Sequence, residues 1–228
     1  MDVELSRRIA NAMVEIVYDA VQRRDRCSVA LAGGNTPRTL YGLLASEFRD
    51  RLPWTRIHIF WGDERYVPAD SVDSNYRMAR EVLLDHVPCP PANIHPMPTY
   101  SASPDAAAAT YAATLRDYFG DDGPRFDLAL LGLGADGHTA SLFPKSAALA
   151  ERTRWVVATT APAEPSVRLT LTLPVLNRAA NLFVLVAGAD KANALQHVRS
   201  GTADPNIYPA AGLQPTDGQL LWWVARVP

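Results

Sequence analysis

Four apolar runs lead into glycine: "CSVALAGG", "RIHIFWGDE", "FDLALLGLG" and "NLFVLVAG". They carry little of the polar alternation that a half-exposed strand would show. Strands of this kind must be covered on both faces, which is the situation of a parallel sheet between helices. The segments between them fit the covering role. From Glu4 to Arg24 the apolar residues Leu5, Ile9, Ala12, Met13, Ile16, Val17 and Ala20 recur at helical spacing. Thr36 is placed to cap a helix through "RTLYGLLAS", with Pro37 at its first position. Ser74 is placed to cap "NYRMAREVLLDHV"; "DAAAATYAATLRDYF" and "DKANALQHV", the latter from Asp190, read as helices. "RWVVATT", "VRLTLTL" (ended by Pro174) and "QLLWWVA" add three more strands, and the proline-rich stretch from Pro88 to Pro98 reads as an irregular connection. The expectation is one α/β domain over residues 1–228. It is doubly wound and Rossmann-like, with a mostly parallel sheet and helices on both faces. Its ligands belong at the carboxyl ends of the strands.

Composition narrows the function classes. The net charge is −2, so no basic surface favours nucleic acid, and an anionic ligand must be held by a few placed groups. The two cysteines, Cys27 and Cys89, form neither a disulfide framework nor a metal motif. "MDVELSRRIA" has no apolar signal core, and the longest apolar stretch, "LFVLVAGA", is too short to span a bilayer. A cytoplasmic protein without membrane contact is expected, as a monomer or weak homo-oligomer.

The stretch "LGLGADGHTASLFP" contains Gly132, Gly134 and Gly137 as G-x-G-x-x-G. A dinucleotide fingerprint also needs a long helix after the turn and an acidic residue ending the next strand. Here Pro144 interrupts the chain, and "RWVVATT" ends in threonines. The motif reads instead as a glycine-rich strand exit presenting Asp136 and His138. Glycines let backbone approach a ligand closely, and histidine exchanges protons near neutral pH.

Two more strand exits share this character. "LAGGNTP" places Gly33, Gly34, Asn35 and Thr36 ahead of a helix, where backbone N–H groups suit an anion. Its spacing is not that of the nucleotide-triphosphate loop. "FWGDERYVP" places Asp63, Glu64 and Arg65 at another exit, which read alone is a solvated charged loop. In a doubly wound fold the three exits converge on one face and form a site. Asp63, Glu64, Asp136 and His138 lack the closely spaced His or Cys pairs of a zinc site, so no metal is expected.

Taken together, "LAGGNTP", "FWGDERYVPADSVDSN", "LLGLGADGHTASLFP", "RLTLTLPVLN" and "VAGADKANAL" resemble the 6-phosphogluconolactonases of the pentose phosphate pathway, in family order and over most of the chain. The resemblance implies hydrolysis of 6-phospho-D-glucono-1,5-lactone, a phosphorylated sugar lactone, without metal or cofactor. It implies His138 as the general base and Arg65 as stabiliser of developing negative charge. Asp63 would orient Arg65, His138 or a sugar hydroxyl. Arg168 and Lys191 match the family's basic phosphate ligands, assisted by Gly34, Asn35 and Thr36. Asn75 and Asp136 are implied to shape loops or contact the sugar.

Two departures stand out. Asn35 replaces the family's more frequent serine, and "LLWWVARVP" lacks the usual aspartate after tryptophan. Two rivals share the fold. Glucosamine-6-phosphate deaminases follow Asp-Gly-His with a glutamate-bearing segment and have tyrosine where Arg65 stands; "TASLFP" offers no glutamate. Sugar-phosphate sensors carry a DNA-binding domain, for which the roughly 25 residues before the first strand leave no room.

Overall fold

The computed structural model describes residues 1–225; the chain end Arg226–Pro228, including the tail of the departing "LLWWVARVP", lies outside the described residues. The central sheet is built from β1 (Cys27–Leu31), β2 (Ile57–Trp61), β4 (Leu128–Gly132), β7 (Asn181–Val186) and β8 (Gln219–Val224). Its order is β2-β1-β4-β7-β8, with every pairing parallel. β1 is buried at all its positions and β4 at all but the last, as their unbroken apolar runs require. β8, at the edge, is half-exposed.

Helices flank this sheet. The first, α1 (Val3–Arg24), starts where the Asp2 side chain accepts the Leu5 N–H at 2.7 Å and buries Leu5, Ile9, Met13, Val17 and Ala20. It packs on α2 (Arg38–Ala45), which packs on α3 (Asn75–Val82). Ser74 caps α3 by accepting the Arg77 N–H, as expected, but the helix stops at Val82 and a 3-10 turn takes over at Leu84–His86. Thr36 is not the cap of α2. Pro37 occupies that position, and no side chain bonds the first turn, because the proline ring has no polar atom to accept an N–H. In the last turn of the chain's α/β succession, a 3-10 turn at Ala189–Lys191 precedes the helix Ala192–Arg199.

The expectation of one sheet needs correction. β3 (Asp63–Arg65), β5 (Val156–Thr160) and β6 (Val167–Leu171) form a second, antiparallel sheet in the order β3-β6-β5. "RIHIFWGDE" is therefore two strands, broken at Gly62. The Gly62 N–H donates to Leu31 O of the central sheet at 3.0 Å, while its carbonyl accepts the Leu171 N–H of the second at 2.9 Å. β6 ends at Leu171, before Pro174, which sits in the first turn of the short helix α5 (Leu173–Leu176). The helix α4 (Pro104–Phe119) lies against β5 and β6, and its Tyr111 Oη accepts the Trp61 N–H at 3.0 Å.

The strand order turns back between β1 and β4: the chain passes from β1 outward to β2, then crosses to β4 on the other side. A doubly wound sheet opens a crevice at such a point, outside the carboxyl ends of the strands. No helix among the described residues is long and apolar enough to cross a membrane.

Candidate active site

A cleft occupies that switch point. It is lined by Ala32–Thr36 from the end of β1, Leu130–Gly134 from the end of β4, and Asp63, Arg65, Asn75, His138, Ala140 and Lys191. A second cleft adjoins it, lined by Asp136, Ser141, Phe143, Ala161–Ala163 and Arg168, and shares Asp63, Arg65, His138 and Ala140 with the first. All three glycine-bearing exits thus meet. Lys191 and Arg168, paired by the resemblance, stand in different clefts on either side of the shared wall.

The opening glycine motif builds the turn that carries His138. The Gly134 N–H donates to His138 O at 2.8 Å, and the Gly137 N–H donates to Gly134 O at 3.0 Å, with Gly137 at φ 83°. His138 Nδ1 lies 2.6 Å from Asp136 Oδ1. An ionised carboxylate only accepts, so the proton sits on Nδ1 and Nε2 is the free ring nitrogen. The hydrogen bond from His138 holds the Asp136 carboxyl below its usual range. The ring is steadied by Phe143, whose centroid is 4.8 Å away.

Asp136 is therefore the residue that orients His138, a part the sequence left open for Asp63 while giving Asp136 a loop-shaping or sugar-contacting place. Asp63 turns elsewhere: its Oδ2 accepts the buried Ser141 hydroxyl at 2.6 Å, and its backbone carbonyl accepts from Asn75 Nδ2 at 3.0 Å.

The 134 position shows why the motif needs glycine. A Cβ there would lie 2.0 Å from His138 Nδ1 and 2.6 Å from Asp136 Oδ1. Gly134→Ala should push the ring and its carboxylate out of register. Both are side-chain ends that can move, so we expect a melting temperature close to wild type and an activity loss approaching that of removing His138. Kinetics and thermal unfolding on one preparation check this. Gly33 plays the same part for Asn75, whose Oδ1 would be 1.9 Å from a Cβ at 33. Asn75 Oδ1 is buried with no hydrogen-bond partner, an acceptor left over at the cleft wall.

Arginine chemistry dominates the far side. Arg65 and Arg168 are directly opposite on β3 and β6. Like charges in that position repel unless an anion lies between or beside them. Arg168 is no surface charge: it is 8 % exposed, and its buried Nη1 has no partner. Burial, and then Arg65, pull its pKa down. One arm of Arg65 is tied to Asp73 O at 2.6 Å. Lys191 pairs with Asp190 at 2.8 Å beside the 33–36 turn.

A family model described as glucosamine-6-phosphate isomerases/6-phosphogluconolactonase matches residues 2–222. The chain belongs to this family. A 6-phosphogluconolactonase of Synechocystis sp. is 50% identical over 209 residues, covering 90% of this chain and 85% of that protein. One from Mycobacterium tuberculosis is 41% identical over 221 residues, covering 94% and 88%. The crystal structure of 6-phosphogluconolactonase from Thermotoga maritima superposes with a TM-score of 0.84 at 32% identity, over 97% of this chain and 95% of that one. The Trypanosoma brucei 6-phosphogluconolactonase structure gives 0.84 at 34% identity, over 97% and 92%. The isomerase/lactonase fold accounts for the switch-point cleft.

Sequence reasoning missed Ser141 and the role of Glu64. Ser141 stood in view in "GHTASLFP", but nothing in its spacing pointed to a carboxylate 78 residues earlier. Glu64 was readable: in a strand its neighbours Asp63 and Arg65 face one side and it faces the other. It is 2 % exposed, not part of a solvated loop. Among the described residues no group of three or more His, Cys, Asp or Glu is placed to hold a metal ion.

Proposed function

We propose that the chain hydrolyses 6-phospho-D-glucono-1,5-lactone to 6-phospho-D-gluconate, the lactonase step of the pentose phosphate pathway. The observation that carries this reading is the Asp136–His138 pair at clefts lined by Arg65, Lys191 and Arg168, the last with a buried Nη1 that has no partner. His138 Nε2 takes a proton from water as the water oxygen bonds to the lactone carbonyl carbon. The carbonyl electrons move to oxygen, and Arg65 stabilises that oxyanion. Collapse breaks the bond to the ring oxygen, which takes the proton from the imidazolium. The new carboxylic acid then ionises in water. Asp136 stabilises the imidazolium between these steps and keeps Nε2 aimed. Asp63, fixed by Ser141, receives a sugar hydroxyl.

The phosphate sits where Lys191 meets the backbone of Gly33, Gly34, Asn35 and Thr36. Arg168 stands in the neighbouring cleft, across the wall of Asp63, Arg65 and His138, and its unpaired Nη1 is a second donor for an anionic group of the same substrate. Asn75 Oδ1 supplies an acceptor for a sugar hydroxyl. No step calls on a metal or cofactor. A single globular domain working as a monomer or weak homo-oligomer in the cytoplasm suits this role.

The family covers two activities, and one comparison separates them. Given freshly made lactone, the protein should speed its loss beyond the spontaneous rate; given glucosamine 6-phosphate, it should release no ammonia. Ammonia release without lactone turnover would assign the chain to the other branch.

A further inference from the structure

Glu64 lies between two residues that line the clefts, yet it lines neither. An isolated buried carboxylate is costly, and a structural need alone is met more cheaply by an apolar side chain. Its partners are all backbone or hydroxyl groups. Oε1 accepts the N–H of Arg65 at 2.7 Å and the N–H of Asn75 at 2.7 Å. Oε2 accepts the N–H of Tyr76 at 2.7 Å and the Ser74 hydroxyl at 3.3 Å. One oxygen thus joins β3 to the first turn of α3. The loop closes through Asn75, whose amide donates back to Asp63 O.

We propose that Glu64 is a positioning residue for the lactonase reaction: its carboxylate clamps the start of α3 to β3 and so sets Arg65 and Asn75 at the cleft wall. This rests on the lactonase reading given above. The clamp works in the ionised form, because a carboxyl proton would have to replace one of four incoming donors.

Burial pushes the Glu64 carboxyl up to about 7, against the pull of the three backbone N–H groups and with the neighbouring Asp63 adding to the rise. The other charged or titratable groups around it are Arg65 on its own strand, Asp73 from the adjoining loop, Arg168 from β6 and Tyr111 from α4. The clamp therefore tightens with rising pH across neutrality.

Glu64→Gln keeps the shape but places an amide against a backbone donor. The test is kcat/KM of wild type and Glu64→Gln on the phosphorylated lactone from pH 5.5 to 8.5. Charge-assisted hydrogen bonds of this kind carry enough energy for roughly a ten- to hundredfold difference. That deficit should appear at high pH and shrink as pH falls through about 7, where wild type loses its own carboxylate. The ratio cancels whatever pH dependence the two proteins share. A ratio independent of pH, or no deficit at any pH, would overturn the proposal.

If Glu64→Gln does not fold, the wild-type protein still decides. The amide resonances of Arg65, Asn75 and Tyr76 should titrate together with one midpoint. Three amides flat from pH 5.5 to 8.5 would contradict the clamp. This readout needs no turnover, so it stands even if the lactonase reading fails.

Discussion

Replacing His138 by alanine should lower kcat by about 10²–10⁴-fold, the usual contribution of a positioned general base. The melting temperature should stay at its wild-type value. The side chain is 34% exposed and makes one side-chain hydrogen bond, to Asp136, so its loss opens no core cavity. Asp136→Asn should lower kcat less. The amide oxygen still accepts from Nδ1, but the imidazolium formed in the transition state loses its anionic partner. Asp63→Asn should behave differently again. Asp63 bonds Ser141 and not His138, so its removal should raise KM more than it lowers kcat if it holds a sugar hydroxyl. The three variants separate the parts that two aspartates near one histidine would otherwise blur. A His138→Ala variant turning over near the wild-type rate would remove His138 as the base.

The second large effect concerns the phosphate. Lys191→Ala should lower kcat/KM for the phosphorylated lactone by about ten- to a hundredfold, the range for a charge-assisted bond to phosphate. The substitution also strips Asp190 of its 2.8 Å partner, so a negative charge beside the site is no longer neutralised. Plain gluconolactone carries no phosphate, so its slower turnover should hardly change. Arg168→Ala should show the same asymmetry. It should also ease the repulsion between Arg65 and its cross-strand neighbour, so stability should not fall as the removal of a buried, fully bonded arginine would demand. Equal loss on both substrates would make Lys191 or Arg168 structural and move the phosphate elsewhere.

Much of this architecture was legible because its causes are local. β1, β4 and β7 are apolar but for Ser28 and Asn181, and chains of that kind have few places to go except the middle of a covered sheet. The second sheet was harder. β5 and β6 look like further parallel strands by composition. The signal lay in their spacing: only residues 161–166 separate them, too few for the crossover that a parallel pair requires. β3 is three residues long and charged at every position, so neither hydrophobicity nor periodicity marks it.

In the site, the glycine turns announced themselves because close backbone approach restricts residue choice so strongly. Gly134 against His138 is the clearest case. The choice between Asp63 and Asp136 as partner of His138 needed coordinates, since both aspartates stand at strand exits. The Asp136–His138 bond spans two residues, whereas Asp63 reaches Ser141 across 78, a relation set only by the packing of two sheets. Arg168 reads as an ordinary strand-end cation until the register places it opposite Arg65 and buries it.

The central claim is that this cleft speeds the opening of a phosphorylated sugar lactone. Acid release from freshly prepared 6-phospho-D-glucono-1,5-lactone, followed at constant pH against the spontaneous background, measures it directly. The account predicts a rate that rises in proportion to the concentration of the protein and that falls nearly to background for His138→Ala at the same concentration. Binding of 6-phosphogluconate with lactone loss unchanged from the spontaneous rate would contradict it and leave the cleft a sugar-phosphate receptor.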